Sequence, residues 1–246
     1  MAGHSHWANI SRKKSLIDAK RGKLFSKLAR AIISAARQGG GDPEQNLKLK
    51  YAIEKAKAGN MPKDNIERAV KAGSGTKGGD DFEELNYEGY APCGVAVLVS
   101  ALTDNRNRTA PEVKYTFEHH GGNMGATGSV SFMFDFKSIF VLETAGKSED
   151  EMMEIAIEAG ADDVQIEAEY ATVIADPTEF LSVKEALEAA GLTLMSGETG
   201  YLPQNTIKLE TEAEAQKVLK LIDALEENDD VQSVYSNYEL PEGFEL

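Results

Sequence analysis

The residues best placed to do chemistry in this sequence are cations. Arg12, Lys13, Lys14, Lys20, Arg21, Lys23, Lys27, Arg30 and Arg37 crowd the first 37 positions, with Trp7 ahead of them. Lysine and arginine neutralise phosphates, which makes binding salt-dependent, and an indole offers a flat surface on which a base can stack. The positive charge continues through Lys48, Lys50, Lys55, Lys57 and Lys63. Residues 1–80 hold 17 Lys and Arg against 7 Asp and Glu, whereas the remaining residues hold 9 against 34. A net charge of −15 is thus split between a basic part and a strongly acidic one. That asymmetry fits a basic module that meets polyanions and a body that does not. Arg106 and Arg108, in Thr103-Asp104-Asn105-Arg106-Asn107-Arg108-Thr109, form a second candidate. They either bind phosphate or pin acidic neighbours.

Other chemistry is poorly served. The sequence has no GxxxxGK[ST] loop, no HExxH, no GxSxG and no Cys-x-x-Cys, so no catalytic role is assigned. Cys93 is the single cysteine, which excludes an internal disulfide and a multi-thiolate metal site. His119 and His120 read as the end of a helix, where imidazolium complements the dipole, and no further ligands are placed beside them. If Met1 is removed, Ala2-Gly3-His4 has the donors to chelate Cu(II), a minor possibility beside the expectation of no metal and no cofactor. Gly121–Gly128 has the glycine density of a nucleotide-binding loop, but it follows a helix and leads into a strand, the reverse of what a phosphate loop needs. It reads instead as a contact loop that offers backbone N–H groups, the Asn123 amide and the Met124 side chain.

These residues need elements to hold them. From Lys23 to Arg37, Leu24, Phe25, Leu28, Ile32, Ala35 and Ala36 share one helical face, with Lys23, Lys27, Arg30, Ser34 and Arg37 opposite. Asp42-Pro43-Glu44-Gln45 reads as the capped start of a second helix, and Pro62 opens a third. Ser74–Asp80 reads as a linker. Strands follow at Val95–Leu102 and Ser129–Phe136, around a helix capped by Thr109. Residues 137–203 then run β-α-β-β-α-β, the ferredoxin-like order. A strand at Thr206–Leu209, a helix at Glu212–Glu226 and a strand at Val231–Tyr235 seek partners in the sheet around Val95 and Val130. The expected fold class is α+β. A basic arm (1–22) precedes a three-helix domain (23–79), and a ferredoxin-like domain (137–203) is inserted into a discontinuous α/β domain (80–136 plus 204–246). No apolar run approaches the roughly 20 residues of a membrane helix, and no signal peptide opens the chain, so the expected location is the cytoplasm.

Several stretches are longer and more specific than any pattern used so far. Ala2-Gly3-His4-Ser5-His6-Trp7-Ala8-Asn9-Ile10, Asp18–Lys23, Gly59-Asn60-Met61-Pro62-Lys63-Asp64-Asn65-Ile66, Tyr87-Glu88-Gly89-Tyr90, Thr103–Thr109 and Gly121–Phe132 resemble the signatures of the YebC family, and the similarity spans essentially the whole chain. Cys93 stands where relatives usually have glycine, and His6 where many have lysine. The resemblance implies a helical bundle followed by an α/β domain interrupted by a ferredoxin-like one. It implies no catalytic residues. Family members are labelled probable DNA-binding transcriptional regulators, or look like translational activators that help proline-rich nascent sequences. The residues favour a ribosome-associated translation factor that contacts rRNA or tRNA through its basic N-terminal domain, because no sharp helix-turn-helix or dimer axis for a palindromic site is evident. A DNA-binding transcriptional regulator is the alternative.

Overall fold

A computed structural model describes residues 21–75, 82–166, 169–241 and 244. The chain divides into two compact units: Phe134–Asn205 in one, and the described residues of Arg12–Met133 and Thr206–Leu246 in the other.

The larger unit begins with helices α1 (Arg21–Gly39), α2 (Leu47–Ala58) and α3 (Lys63–Ser74). The apolar stripe of α1 becomes their core: Leu28, Ile32, Ala35 and Ala36 are buried with Leu49, Ala56, Met61, Ile66 and Ala69, while Leu24 and Phe25 pack at its margin. Helix α3 comes so close to α1 that a Cβ on Gly73 would lie 2.5 Å from the Ile33 carbonyl oxygen. The start of α2 departs from expectation. Asp42 closes only a turn, accepting from the Glu44 N–H, and the helix begins at Leu47. Asn46 is its N-cap, accepting from the Leu49 N–H at 3.1 Å and donating its amide to the carbonyls of Ala35 and Gly40, both at 2.8 Å. A cap that also binds carbonyls at the end of α1 and in the turn after it outcompetes one that serves a single helix.

The same unit carries an antiparallel sheet built from β1 (Glu83–Tyr90), β2 (Ala96–Thr103), β3 (Asn123–Met124) and β9 (Val231–Ser236), in the order β3-β1-β2-β9. Helices α4 (Arg106–His119) and α7 (Glu212–Glu226) supply Val113, Phe117, Val218, Leu221, Ile222 and Leu225 to the core beneath it. The closing strand β9 joins β2, as the sequence suggested, whereas β8 (Ile207–Lys208) pairs in parallel with β10 (Tyr238–Glu239). Strand β1 is not legible in the sequence, because Glu83-Glu84-Leu85-Asn86-Tyr87-Glu88-Gly89-Tyr90 is a polar run whose first half is largely exposed and whose buried positions are Glu88 and Gly89. Helix α4 is capped by Asn105 and not by Thr109, which sits fully buried one turn inside. Cys93 adopts φ +64°, the left-handed region that favours glycine, followed by Gly94 at φ +76°.

The smaller unit contains β4 (Phe134–Glu143), α5 (Glu149–Glu158), β5 (Asp163–Ile166), β6 (Tyr170–Ala175), α6 (Phe180–Ala189) and β7 (Leu194–Pro203). Its antiparallel order β5-β6-β4-β7 with two crossing helices is the ferredoxin-like topology. The expected strand Ser129–Phe136 is a 3-10 turn over Ser131–Met133, and β4 then runs unbroken from Phe134. Strand alternation over Ser129–Phe136 would give Val130, Phe132, Phe134 and Phe136 one face. The turn instead leaves Phe132 67% exposed while Val130 stays buried.

The close α1–α3 approach makes a specific prediction. Gly73→Ala should destabilise the protein by roughly 1–3 kcal/mol, since backbone must move to admit the methyl group. Gly22→Ala, where nothing lies within 4 Å of the new Cβ, should be neutral or stabilise by up to about 1 kcal/mol. Urea denaturation of the two variants checks this; equal midpoints would contradict the packing.

Candidate nucleic-acid interface

The basic stripe of α1 is not free. Lys23 Nζ donates to the Glu227 carbonyl at 3.0 Å, and Lys27 Nζ to the Glu226 carbonyl at 2.6 Å. The Arg30 guanidinium reaches the Asp229 carbonyl at 2.8 Å and Asp230 Oδ1 at 3.0 Å. Three cations spaced by four and three thus grip the C-terminal end of α7 and the turn into β9. Their positions are electrostatically apt, because a helix C-terminus presents unsatisfied carbonyls and partial negative charge. Burial pushes the Lys27 ammonium down to about 8 despite the pull of Glu226 and Asp229, so it remains a charged donor at neutral pH. Ser34, expected among the solvated positions, is buried and accepts from Gln38. Arg37, half-buried, lies two turns beyond Arg30.

At the centre of this corner is Asp230, 4% exposed. Its Oδ2 accepts from Arg108 at 2.7 Å, Thr109 Oγ1 at 2.8 Å and Thr103 Oγ1 at 3.1 Å, while Oδ1 takes Arg30. The Asp230 carbonyl accepts the Leu102 N–H at 2.7 Å. Burial alone would raise the carboxyl's pKa, but Arg108 and the two threonines outweigh it and hold the pKa below the ordinary value. Arg108 also pairs with Asp104 at 2.8 Å. Of the alternatives open for Arg106 and Arg108, Arg108 therefore takes the ion-pair one, and Arg106 points into solvent without an ion pair among the described residues.

Contacts of α2 reinforce the same assembly. Lys48 bridges to Glu84 on β1, and Lys55 reaches Ser233 Oγ on β9 at 3.4 Å. Lys50, Lys57 and Lys63 pair locally with Glu44, Glu54 and Glu67. Trp7, Arg12, Lys13, Lys14 and Lys20 lie outside the described residues, as does His4, and Arg21 opens α1.

The glycine loop holds a second buried carboxylate. Glu88 on β1, 3% exposed, accepts from the N–H groups of Gly128 at 2.8 Å, Val130 at 2.7 Å and Ser131 at 2.8 Å. Burial would raise its pKa, and these three donors with the Ser131 side chain hold it below the ordinary range instead. Glu88 also accepts the Gly125 N–H through its carbonyl at 2.8 Å. The N–H groups expected to face a partner are therefore largely spent inside the molecule. Asn123 and Met124 form β3 against Tyr90 and Gly89; Met124 packs on the core and Asn123 is exposed. Gly121, at φ +76°, supplies the left-handed exit from α4.

Sequence reasoning missed Asp230, Glu88 and Asn46. An aspartate between a helix and a strand looks like a turn residue, and nothing local marks the donors that converge on it. Among the described residues no group of His, Cys, Asp and Glu is arranged to hold a metal, and no helix is long and apolar enough to cross a membrane. His120 caps α4, with Nδ1 at 2.9 Å from the Thr116 carbonyl.

Fold and site together define a multidomain α+β protein in which a cation-rich helical module is bolted to an α/β sheet and a ferredoxin-like fold is inserted. Residues 5–76 match the TACO1/YebC protein N-terminal domain and residues 82–238 the TACO1/YebC second and third domain; the chain belongs to the TACO1/YebC family. A probable transcriptional regulatory protein of Rubrobacter xylanophilus is 50% identical, covering 98% of this chain and 97% of its own length. One from Caldanaerobacter subterraneus is 53% identical over 98% of this chain and 99% of its own. The crystal structure of a conserved hypothetical protein of Aquifex aeolicus, Aq1575, has 52% identity and a TM-score of 0.81, over 92% of this chain and 93% of that one.

The two buried carboxylates predict an acid dependence. Both have pKa values depressed by folding, so their stabilisation is complete above the ordinary values of 3.8 and 4.5 and is lost as pH falls through the folded values. Asp230→Asn and Glu88→Gln should each cost roughly 2–4 kcal/mol at pH 7, because charged or N–H donors lose their acceptor. The gap to the parent should narrow at pH 3. Denaturation curves showing the same gap at pH 3 and pH 7 would contradict this account.

Proposed function

We propose that this protein is a nucleic-acid-associated regulator of gene expression, and that it acts as a ribosome-associated translation factor contacting rRNA or tRNA through its basic N-terminal region. The observation that carries the reading is the charge partition: 17 cations against 7 anions in residues 1–80, and 9 against 34 thereafter. An acidic body disfavours wrapping along a duplex but suits a factor that inserts one basic end into folded RNA. Since Lys23, Lys27, Arg30 and Arg108 hold the module to its neighbour, the phosphate contacts are assigned chiefly to Arg12, Lys13, Lys14, Lys20 and Arg21, with Trp7 as a stacking surface and Arg37 and Arg106 at the margin. In the glycine loop, Asn123 is the side chain left to meet a partner. The DNA-binding reading is kept because the relatives from Rubrobacter and Caldanaerobacter carry the name probable transcriptional regulatory protein.

Neutralising Arg12, Lys13, Lys14 and Lys20 to glutamine should weaken RNA binding and flatten its salt dependence, each lost contact removing roughly 0.7–0.9 from the log–log slope. Melting temperature should change little. Charge reversal at Lys23, Lys27 and Arg30 should instead lower it, by setting carboxylates against Glu226, Glu227 and Asp230. Crosslinking in cells followed by sequencing of the attached nucleic acid tests the target. Ribosomal RNA and tRNA reads support the translation reading, whereas discrete promoter reads would replace it with the DNA one.

A further inference from the structure

Helix α5 of the smaller unit carries a face that is both apolar and acidic. Asp150, Met153, Glu154, Ile157 and Glu158 follow one another by three, one, three and one residues, so they share one side of the helix. Met152 and Ala156 are buried, whereas Met153 is 43% and Ile157 66% exposed. These two stand one turn apart and make a short apolar ridge. Asp150, Glu154 and Glu158 flank it, all exposed and none in an ion pair among the described residues.

The helical module presents the complement. An open groove of about 360 Å³ is lined by Phe25, Ala29 and Ile33 of α1, by Met61, and by Ala69 and Ala72 of α3. The alanines let another backbone come close, and Met61 adapts to whatever apolar side chain enters. Arg68 lines the same groove. Its guanidinium donates only within α3, to the Asp64 carbonyl at 3.2 Å and to Asn65 Oδ1, and it makes no ion pair among the described residues. Lys71, three residues on, is exposed and likewise without one. The charge of the surroundings runs the same way. Residues 21–75 hold 12 Lys and Arg against 5 Asp and Glu, and residues 134–205 hold 3 against 16.

We propose that the α1–α3 groove of one molecule receives the Met153–Ile157 face of α5 from a second copy, so that the protein self-associates through two unlike surfaces. The ridge enters among the apolar groups, and the carboxylates beside it meet Arg68 and Lys71 at the rim. A polyanion would leave the apolar lining unfilled, and a neutral helix would leave the two cations unanswered. The chain itself carries the acidic, apolar helix that answers both. One helix face in one groove belongs with the weak, transient interfaces below about 1,200 Å², so association depends on concentration. This goes beyond the regulatory reading and needs no nucleic acid.

Sedimentation velocity of the full chain, freed of nucleic acid by nuclease and run at low salt over about 10–500 µM, tests the contact. The weight-average mass of the parent should rise with concentration and fall back as salt screens the rim. Met153→Gln with Ile157→Gln should weaken association at least about tenfold, because the ridge no longer gains from leaving water. Arg68→Glu with Lys71→Glu should weaken it at least about fivefold, and adding Glu154→Lys with Glu158→Lys to that chain should restore it. All six positions are exposed, so circular dichroism should match the parent throughout. Mixing the ridge variant with the groove variant gives the decisive reading, since each keeps the surface that the other lacks. The mixture should associate more tightly than either variant alone. A parent that stays monomeric over the whole range, or a mixture no tighter than its components, overturns the proposal. Both results leave the nucleic-acid reading standing.

Discussion

A buried carboxylate with four donors holds the larger unit together. Asp230 draws Arg30 from α1, Arg108 and Thr109 from α4 and Thr103 from β2 onto one side chain at the start of β9. Removing a charge from water is unfavourable by several kcal/mol, and only a full set of donors offsets that cost. Arg30 on one hand and Thr103, Arg108 and Thr109 on the other are far apart in sequence and far from Asp230, so neither group can move without leaving the carboxylate short of a partner. The sheet order depends on the same point, since the Asp230 carbonyl accepts from Leu102 where β2 meets the turn into β9. Lys23 and Lys27 extend the contact along the end of α7, where carbonyls that no helix bond satisfies accept them.

Glu88 solves a similar problem by opposite means. No cation approaches it among the contacts that define its setting; three backbone N–H groups of the glycine-rich segment point at it instead. A run of small residues can curl its amides around an anion, as phosphate-binding loops do. Here the anion is part of the chain. The loop that looked open for a ligand is shaped by an internal one, and its remaining outward polarity is concentrated at Asn123.

How much of this was legible in the sequence follows from what each signal depends on. The α1 stripe, helix Glu212–Glu226 and the β-α-β-β-α-β order were readable, because apolar periodicity is local and survives any tertiary arrangement. Caps were misplaced at Asp42 and Thr109: Asn46 also donates to Ala35 and Gly40, neighbours that local sequence does not name, whereas Asn105 makes an ordinary local cap by accepting from the Arg108 N–H. Thr109 had a stronger claim on it as a buried donor to Asp230. The cations were correctly seen as one face of α1, but the face's partner was not, since a row of lysines reads the same whether it meets phosphate or helix carbonyls. Strand β1 lacked apolar alternation because the positions it buries are Glu88 and Gly89, neither of them an apolar side chain.

The two uses of positive charge differ in how they respond to salt. Lys27 is substantially buried, with its ammonium 2.6 Å from a carbonyl, and screening acts weakly on a pair from which water is largely excluded. Cations on an exposed segment that meet phosphates release counterions, and their contribution falls steeply as salt rises. A chain whose cations all served one role would lose architecture and ligand together at high ionic strength. With α1 committed to Asp230 and the end of α7, that contact keeps its form as ionic strength rises. That division explains why Lys23, Lys27 and Arg30, seated in α1, are paired within the chain.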